Sequence, residues 1–233
     1  MAVDGSATGG RATGGRVAPG GAADTDTVSG PGHEPRRRKE RAAETERALK
    51  DAARRLFAQR GYLNTKITDI TAEAGRAAGS FYNHFASKEQ LLQALLEDFA
   101  EQGDTAAEGE AHNPDFTDPE AVRFHVENYW RFARRNWPVL RAVRQAALVD
   151  DEFARISGRF AAEQRTEVAD HLDGFPAAGM SLPSTPEASL AMMFLSVHGL
   201  LEAVQEGMVE LTDEEAVAGL TRFIYRGLTG RDY

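Results

Sequence analysis

Cysteine is absent from the 233-residue chain, which excludes disulfides, thiolate-held zinc, iron–sulfur clusters and thiol nucleophiles together. Long apolar runs are missing too. The longest, Leu190 to Leu201, is interrupted by His198 and falls short of the roughly 18–20 residues of a membrane span. The first residues offer Gly, Ala and Arg where a secretory signal needs a leucine-rich core, so a cytoplasmic protein without a membrane partner is the simplest reading. Catalytic spacings are equally lacking: there is no G-x-S-x-G, no glycine loop ending in Gly-Lys, no H-E-x-x-H and no Glu-x-x-His pair, so no enzyme is expected. The six histidines are scattered along the chain, and neither a metal site nor a cofactor is expected from their spacing.

What is present is apolar mass and a strong charge asymmetry. Hydrophobic residues make up 42% of the chain, enough for one large or two small cores. The net charge of -9 hides a separation of signs. Residues 36–88 hold 13 Lys/Arg against 6 Asp/Glu, whereas residues 89–233 hold 12 Arg against 26 Asp/Glu. A basic module joined to an acidic one suits a protein that meets a polyanion at one end only. By charge alone, a merely solvated basic face is the competing explanation.

Residues 1–35 are Gly, Ala, Thr and Ser with almost no large apolar side chain, so nothing offsets the entropy of ordering them. A disordered tail is therefore expected over 1–40, ending in Arg36-Arg37-Arg38-Lys39. That run either lies along phosphates as an arm or is a solvated linker. From Thr45 the period becomes helical, with Leu49, Ala52, Ala53, Leu56 and Phe57 on one face and Gly61 as the stop. A short second helix is expected with Thr65 as N-cap and Ile67, Ile70 and Ala74 inward, closed by Gly75. A third short segment, Gly79 to Phe85, buries Phe81 and Phe85. Ser87 then caps a longer helix carrying Leu91, Leu92, Leu95, Leu96 and Phe99.

Helix, short helix, glycine turn, short helix is the spacing of a helix-turn-helix. The stretches Gly61-Tyr62, Thr65-Lys66-Ile67-Thr68-Asp69-Ile70, Ala74-Gly75, Gly79-Ser80-Phe81-Tyr82-Asn83-His84-Phe85 and Ser87-Lys88-Glu89-Gln90-Leu91-Leu92 resemble the signature of the tetracycline-repressor (TetR) family of transcriptional regulators. The resemblance covers about 50 residues in order and without gaps. It implies an all-α protein with an N-terminal three-helix DNA-binding domain over 41–90 and a C-terminal helical ligand-binding and dimerisation bundle over 91–233. It also implies a homodimeric regulator, more specifically a ligand-released repressor, on a pseudo-palindromic operator in double-stranded DNA.

Residue roles follow from the resemblance and from groove chemistry. Thr65 and Lys66 are expected on a phosphate at the start of the second helix. Tyr82, His84 and Lys88 match positions that contact the DNA backbone, and Ala78, Gly79, Ser80 and Asn83 form the short base-reading side, where asparagine can address adenine. Two residues depart from the family pattern. Arg76 and Ala77 follow the turn glycine where a small apolar residue and Ser or Thr are usual. Ala77 cannot cap, which forgoes about 1 kcal/mol, and Arg76 is the candidate for a substitute phosphate contact.

The acidic part begins with an expected loop over 101–117. Asp118-Pro119 and Asn136-Trp137-Pro138 read as helix starts, Asp150 to Leu172 as a third helix, then Glu187 to Met208 and Thr212 to Leu228 as a last pair. That pair suits a two-fold interface. A small-molecule effector pocket is implied by the resemblance, with Phe124, Tyr129, Trp130, Trp137, Met192, Met193 and Phe194 as walls and Arg141, Arg144, His198 and Glu202 as polar handles. Ordinary core packing explains the same aromatic and Met residues, and His198 with Glu202, one turn apart, also reads as a buried satisfying pair. An all-α protein-binding adaptor is the alternative to a DNA-binding protein; it leaves the basic segment and the matched signature unexplained.

Overall fold

The computed structural model describes residues 33–107 and 112–233. Residues 1–32 of the tail expected over 1–40 lie outside them. Among the described residues are nine α-helices, one 3-10 turn and no strand: α1 (His33–Arg60), α2 (Ile67–Glu73), α3 (Ala78–Phe81), α4 (Lys88–Ala107), α5 (Pro119–Arg135), α6 (Trp137–Ala147), α7 (Asp151–Thr166), the turn η1 (Ala169–Leu172), α8 (Pro186–Gln205) and α9 (Asp213–Thr229). The architecture is all-α, as the periodicity predicts.

Two helices are longer than their sequence pattern suggests. α1 begins at His33 rather than near Thr45, so Arg36 to Lys39 are helical where a tail is expected. The residues there are Arg, Lys, Glu and Ala, all good helix formers, and Arg36 pairs with Glu40 one turn on at 3.1 Å. The chain divides between Glu40 and Arg41, and residues 41–233 form a compact unit of their own. α4 runs on to Ala107 through residues assigned to a loop. The expected third helix of the acidic part is instead split, because α7 ends at Thr166 and a 3-10 turn follows.

Capping sets most boundaries. Asp118 accepts from the Glu120 backbone N–H with Pro119 behind it. Asp150 takes the N–H groups of Glu152 and Phe153 at the head of α7. Thr212 and Glu215 form a reciprocal capping box on α9, which Gly230 closes at φ 68°.

The interior forms two apolar clusters. One gathers Leu49, Phe57, Tyr62, Ile70, Phe81, Phe85, Leu91, Leu92, Leu95 and Phe99 of α1–α4, and extends to Val139, Ala142 and Ala146 of α6 and Phe153 of α7. The other joins α5, η1, α8 and α9 around Trp130, Phe116, Phe175, Leu190 and Leu201. The three-helix head therefore has no separate core of its own. Its boundary near residue 90 is crossed by α4, and the Gln145 side chain on α6 accepts a 2.8 Å hydrogen bond from the Tyr62 backbone N–H. A Cβ at Gly61 would meet that same amide at 3.0 Å, and Gly61 sits at φ 77°, so both space and backbone conformation favour glycine there. α8 is long and apolar enough to cross a membrane by length and composition, yet it carries His198 and Glu202 and buries Leu190, Met193, Val197 and Leu201 in the bundle.

Candidate nucleic-acid interface

α2 and α3 meet across the turn at Gly75, which adopts φ 64°. Ile70, Phe81 and Phe85 anchor the unit in the core, each side chain contributing on the order of 2 kcal/mol by burial. Anchoring these three fixes which side of α3 faces outward. Ala78, Gly79, Tyr82 and Asn83 are exposed, with Tyr82 at 63%, and a Cβ at Gly79 would meet nothing within 4 Å. The outward side is thus low in relief around Ala78 and Gly79 and flanked by two polar tips, a surface a groove floor can approach closely. Ala77 precedes α3 with no side-chain capping bond, as its chemistry requires.

Several residues assigned to phosphate are otherwise engaged. Thr65 is buried, its hydroxyl donates to the Gly61 carbonyl at 2.7 Å, and the cap position of α2 is held by Lys66. The Thr65 side chain is thereby removed from any surface. Lys88 is turned inward: its ammonium donates to the Tyr62 and Thr65 carbonyls, both at 2.9 Å, and lies 3.8 Å from the centre of the Tyr62 ring. Burial lowers its pKa, with Glu89 opposing. Lys88 ties the α1–α2 loop to the head of α4 and is not free to meet phosphate. The Tyr62 hydroxyl donates to Glu89, and burial followed by that bond raises the phenol's pKa.

Arg76 donates to Glu44 of α1 at 3.0 Å and leaves its Nε without a partner. His84 is largely covered and lies 3.9 Å from Glu46. Ser80 turns its hydroxyl back to the Ala77 carbonyl at 2.7 Å. Lys66 remains exposed, its backbone N–H bonded to Asp69, which also pairs with Arg60. Of the ten residues assigned to DNA, Lys66, Ala78, Gly79, Tyr82 and Asn83 form the exposed set. The other basic side chains of α1 partly serve internal pairs: Lys50 and Arg54 both hold Asp98 of α4, and Arg55 holds Glu73 of α2.

Residues 49–95 match the profile of the bacterial regulatory proteins of the tetR family. The similarity to that family is carried by this segment of the chain. The TetR-type stretch is 40% identical over 84 residues to the HTH-type transcriptional regulator TtgR of Pseudomonas putida, covering 36% of this chain and 40% of that protein. It is 45% identical over 51 residues to the HTH-type transcriptional repressor KstR2 of Mycolicibacterium smegmatis, covering 22% of this chain and 25% of that one. The match therefore spans about two fifths of the length of the first curated relatives at most. The fold continues beyond the TetR-type head. A TetR-family regulator from Rhodococcus sp. superposes with TM-score 0.65 at 22% identity, over 80% of this chain and all of that one. A regulator from Saccharomonospora viridis, solved in complex with choline, gives 0.65 at 21% identity over 81% of this chain and 100% of that one.

In the bundle, the expected pocket residues fall into separate places. Tyr129 of α5 meets His198 of α8 at 2.7 Å and packs edge-on against Phe194, while Arg144 of α6 pairs with Glu202. These five residues join three helices. Burial, then the neighbouring Arg144, lowers the His198 pKa, with Glu202 opposing; burial raises that of Tyr129. Trp137 and Met193 are core residues, Met192 and Arg141 are exposed, and Trp130 donates to Asp213 at 2.9 Å beside an open groove of 910 Å³ between α5 and α9. Phe124 stands apart from the rest, edge-on to His125.

One constellation forms only in the folded chain. His112, His125 and His171, which lie 13 and 46 residues apart in sequence, converge so that one nitrogen of each lies within 4.8 Å of the others. Burial pushes the His125 imidazole down to about 4; the Ala121 carbonyl opposes this, and His171 and His112 reinforce it. No periodicity brings a loop, a helix face and a 3-10 turn together, so only the tertiary fold could reveal the cluster.

Proposed function

We propose that the chain is a homodimeric, sequence-specific DNA-binding transcriptional regulator, a repressor released by a small-molecule effector and working in the cytoplasm. The observation that carries the reading is the outward side of α3 and the turn that follows it, where Ala78, Gly79, Tyr82 and Asn83 stand exposed within the TetR-type segment. Named relatives of that segment are transcriptional regulators and repressors. Dimerisation through α8 and α9 is supported by exposed apolar side chains on both helices, Met192 at 47%, Leu195 at 69% and Phe223 at 67%. Gly199, Gly219 and Gly227 lie on the same two helices, and a Cβ there would meet nothing within 4 Å of its own chain. A second copy would cover such a face and carry a second recognition helix to a symmetric operator. Effector binding near Tyr129, Phe194, His198, Arg144 and Glu202 would bias the bundle, and the core shared through Val139, Ala142 and Gln145 offers a route to the head.

The test is selection of bound duplexes from a random pool, with the affinity of the winner followed against salt. A palindromic consensus with a steep salt slope is expected. Recovery of no consensus, with the same protein retaining only weak binding, would overturn the reading in favour of a protein-binding adaptor.

A further inference from the structure

The three-histidine cluster has a proton count that does not close without a cation. The His125 Nδ1 lies 2.8 Å from the Ala121 carbonyl oxygen, which can only accept, so Nδ1 must donate there. The His171 Nδ1 lies 2.7 Å from an Asp170 carboxylate oxygen and donates likewise. With both Nδ1 atoms protonated, each neutral ring presents an Nε2 lone pair, and these two nitrogens face one another at 3.0 Å. The His112 Nε2 stands 3.1 Å from that of His171 and can satisfy one lone pair with its single proton, leaving the other opposed. A fourth proton would place a positive charge among Phe116 and Phe124, whose rings stand 4.9 Å and 5.4 Å from His125, and burial of that kind opposes it.

A metal ion resolves the deficit. Nitrogens bound at about 2.0–2.1 Å lie about 2.9–3.4 Å from one another for bond angles between a right angle and the tetrahedral value; the His171–His125 and His112–His171 separations are 3.0 and 3.1 Å, and the His112 and His125 nitrogens lie within 4.8 Å, which a small turn of the His112 ring would close. Hydrogen bonds from the far ring nitrogen to a carboxylate and to a backbone carbonyl are also how metal-bound imidazoles are oriented. We propose that His112, His125 and His171 form a binding site for a divalent first-row transition ion of the zinc type, with Asp170 and the Ala121 carbonyl fixing the rings of His171 and His125. Imidazole sets suit zinc, copper, iron and nickel. The ion would fasten the chain entering α5, α5 itself and the η1 turn after α7 to one another. This site is distinct from the Tyr129–His198 cluster, and its test does not depend on the regulatory reading.

The experiment uses the full chain, stripped with chelator and dialysed, titrated calorimetrically with Zn(II) and spectroscopically with Co(II). The expected result is one ion per chain, a visible Co(II) band, and a higher melting temperature on Zn(II) addition. His112→Asn should weaken Zn(II) at least 100-fold and remove the Co(II) band. Asp170→Asn, at an exposed carboxylate whose strongest partner is the His171 ring, should weaken binding 10- to 100-fold with the unliganded melting temperature close to that of the parent. Absence of stoichiometric binding, or binding that both variants retain at full strength, would overturn the assignment and leave the cluster as an aromatic contact.

Discussion

The head and the bundle use polar side chains in opposite ways. In α1–α4 the polar contacts are mostly ties between neighbouring elements: Lys88 to the carbonyls of Tyr62 and Thr65, Lys50 and Arg54 to Asp98, Arg76 to Glu44. They hold a short helix of four residues in place and leave a low, exposed surface beside it. In the bundle, polar groups meet over long separations, Tyr129 with His198 and His112 with His171, and gather in half-buried positions. A residue's type in the head says which motif it belongs to, but its role depends on whether the scaffold has already engaged it.

If α8 and α9 carry the dimer, Phe223→Glu places a charge in the apolar seam. Sedimentation should show monomers, and affinity for a palindromic duplex should fall by about 100-fold or more with loss of the second tethered head. A dimer that survives the substitution would move the interface elsewhere.

Within the head, the contrast between engaged and exposed cations separates two lysines. Lys88→Ala should cost about 2–3 kcal/mol of stability in denaturant titration, because two carbonyls lose a charged donor. Lys66→Ala should leave the unfolding midpoint nearly unchanged and reduce the salt slope of DNA binding by about one. Equal behaviour of the two lysines would break the distinction.

The bundle pair is tested by Tyr129→Phe, expected to cost about 1 kcal/mol through the lost hydrogen bond. Its histidine also gives a pH signature. The folded-state pKa of His198 lies below its usual 6.5, so folding favours the neutral ring. The stability it contributes is present above about pH 6.5 and is lost as pH falls toward the folded-state value. His198→Gln should flatten part of the decline in melting temperature over that acidic window; an unchanged profile would remove His198 from the account. The smallest effect is expected at the turn, where Ala77→Ser supplies the missing cap of α3 and should stabilise by about 0.5–1 kcal/mol in the same titration.

Legibility in the sequence tracks contact range. The helix-turn-helix could be read because Gly61, Gly75, Ile70, Phe81 and Phe85 act within a few residues of their partners. The helix starts at Asp118, Asp150 and Thr212 were legible for the same reason, and the structure gives each a capping side chain. The internal bonds of Thr65 and Lys88 were not legible, because a hydroxyl or ammonium near a helix start suits phosphate and backbone carbonyl equally, and only packing shows which carbonyls it meets. The helical stretch from His33 was hidden because it has no apolar stripe to give it a period. The histidine cluster was invisible to spacing arguments, since it depends on how η1 and the chain before α5 fold onto α5.

The central claim is that the exposed side of α3 and of the turn after it, which holds Asn83, reads base edges. Its most direct test is the affinity of the parent and of Asn83→Ala for the selected duplex and for versions of it substituted one base pair at a time. The account predicts a loss of about 1–3 kcal/mol, with discrimination relaxed at one A·T position and retained at the others. An Asn83→Ala protein that keeps both its affinity and its full pattern of base preference would contradict it.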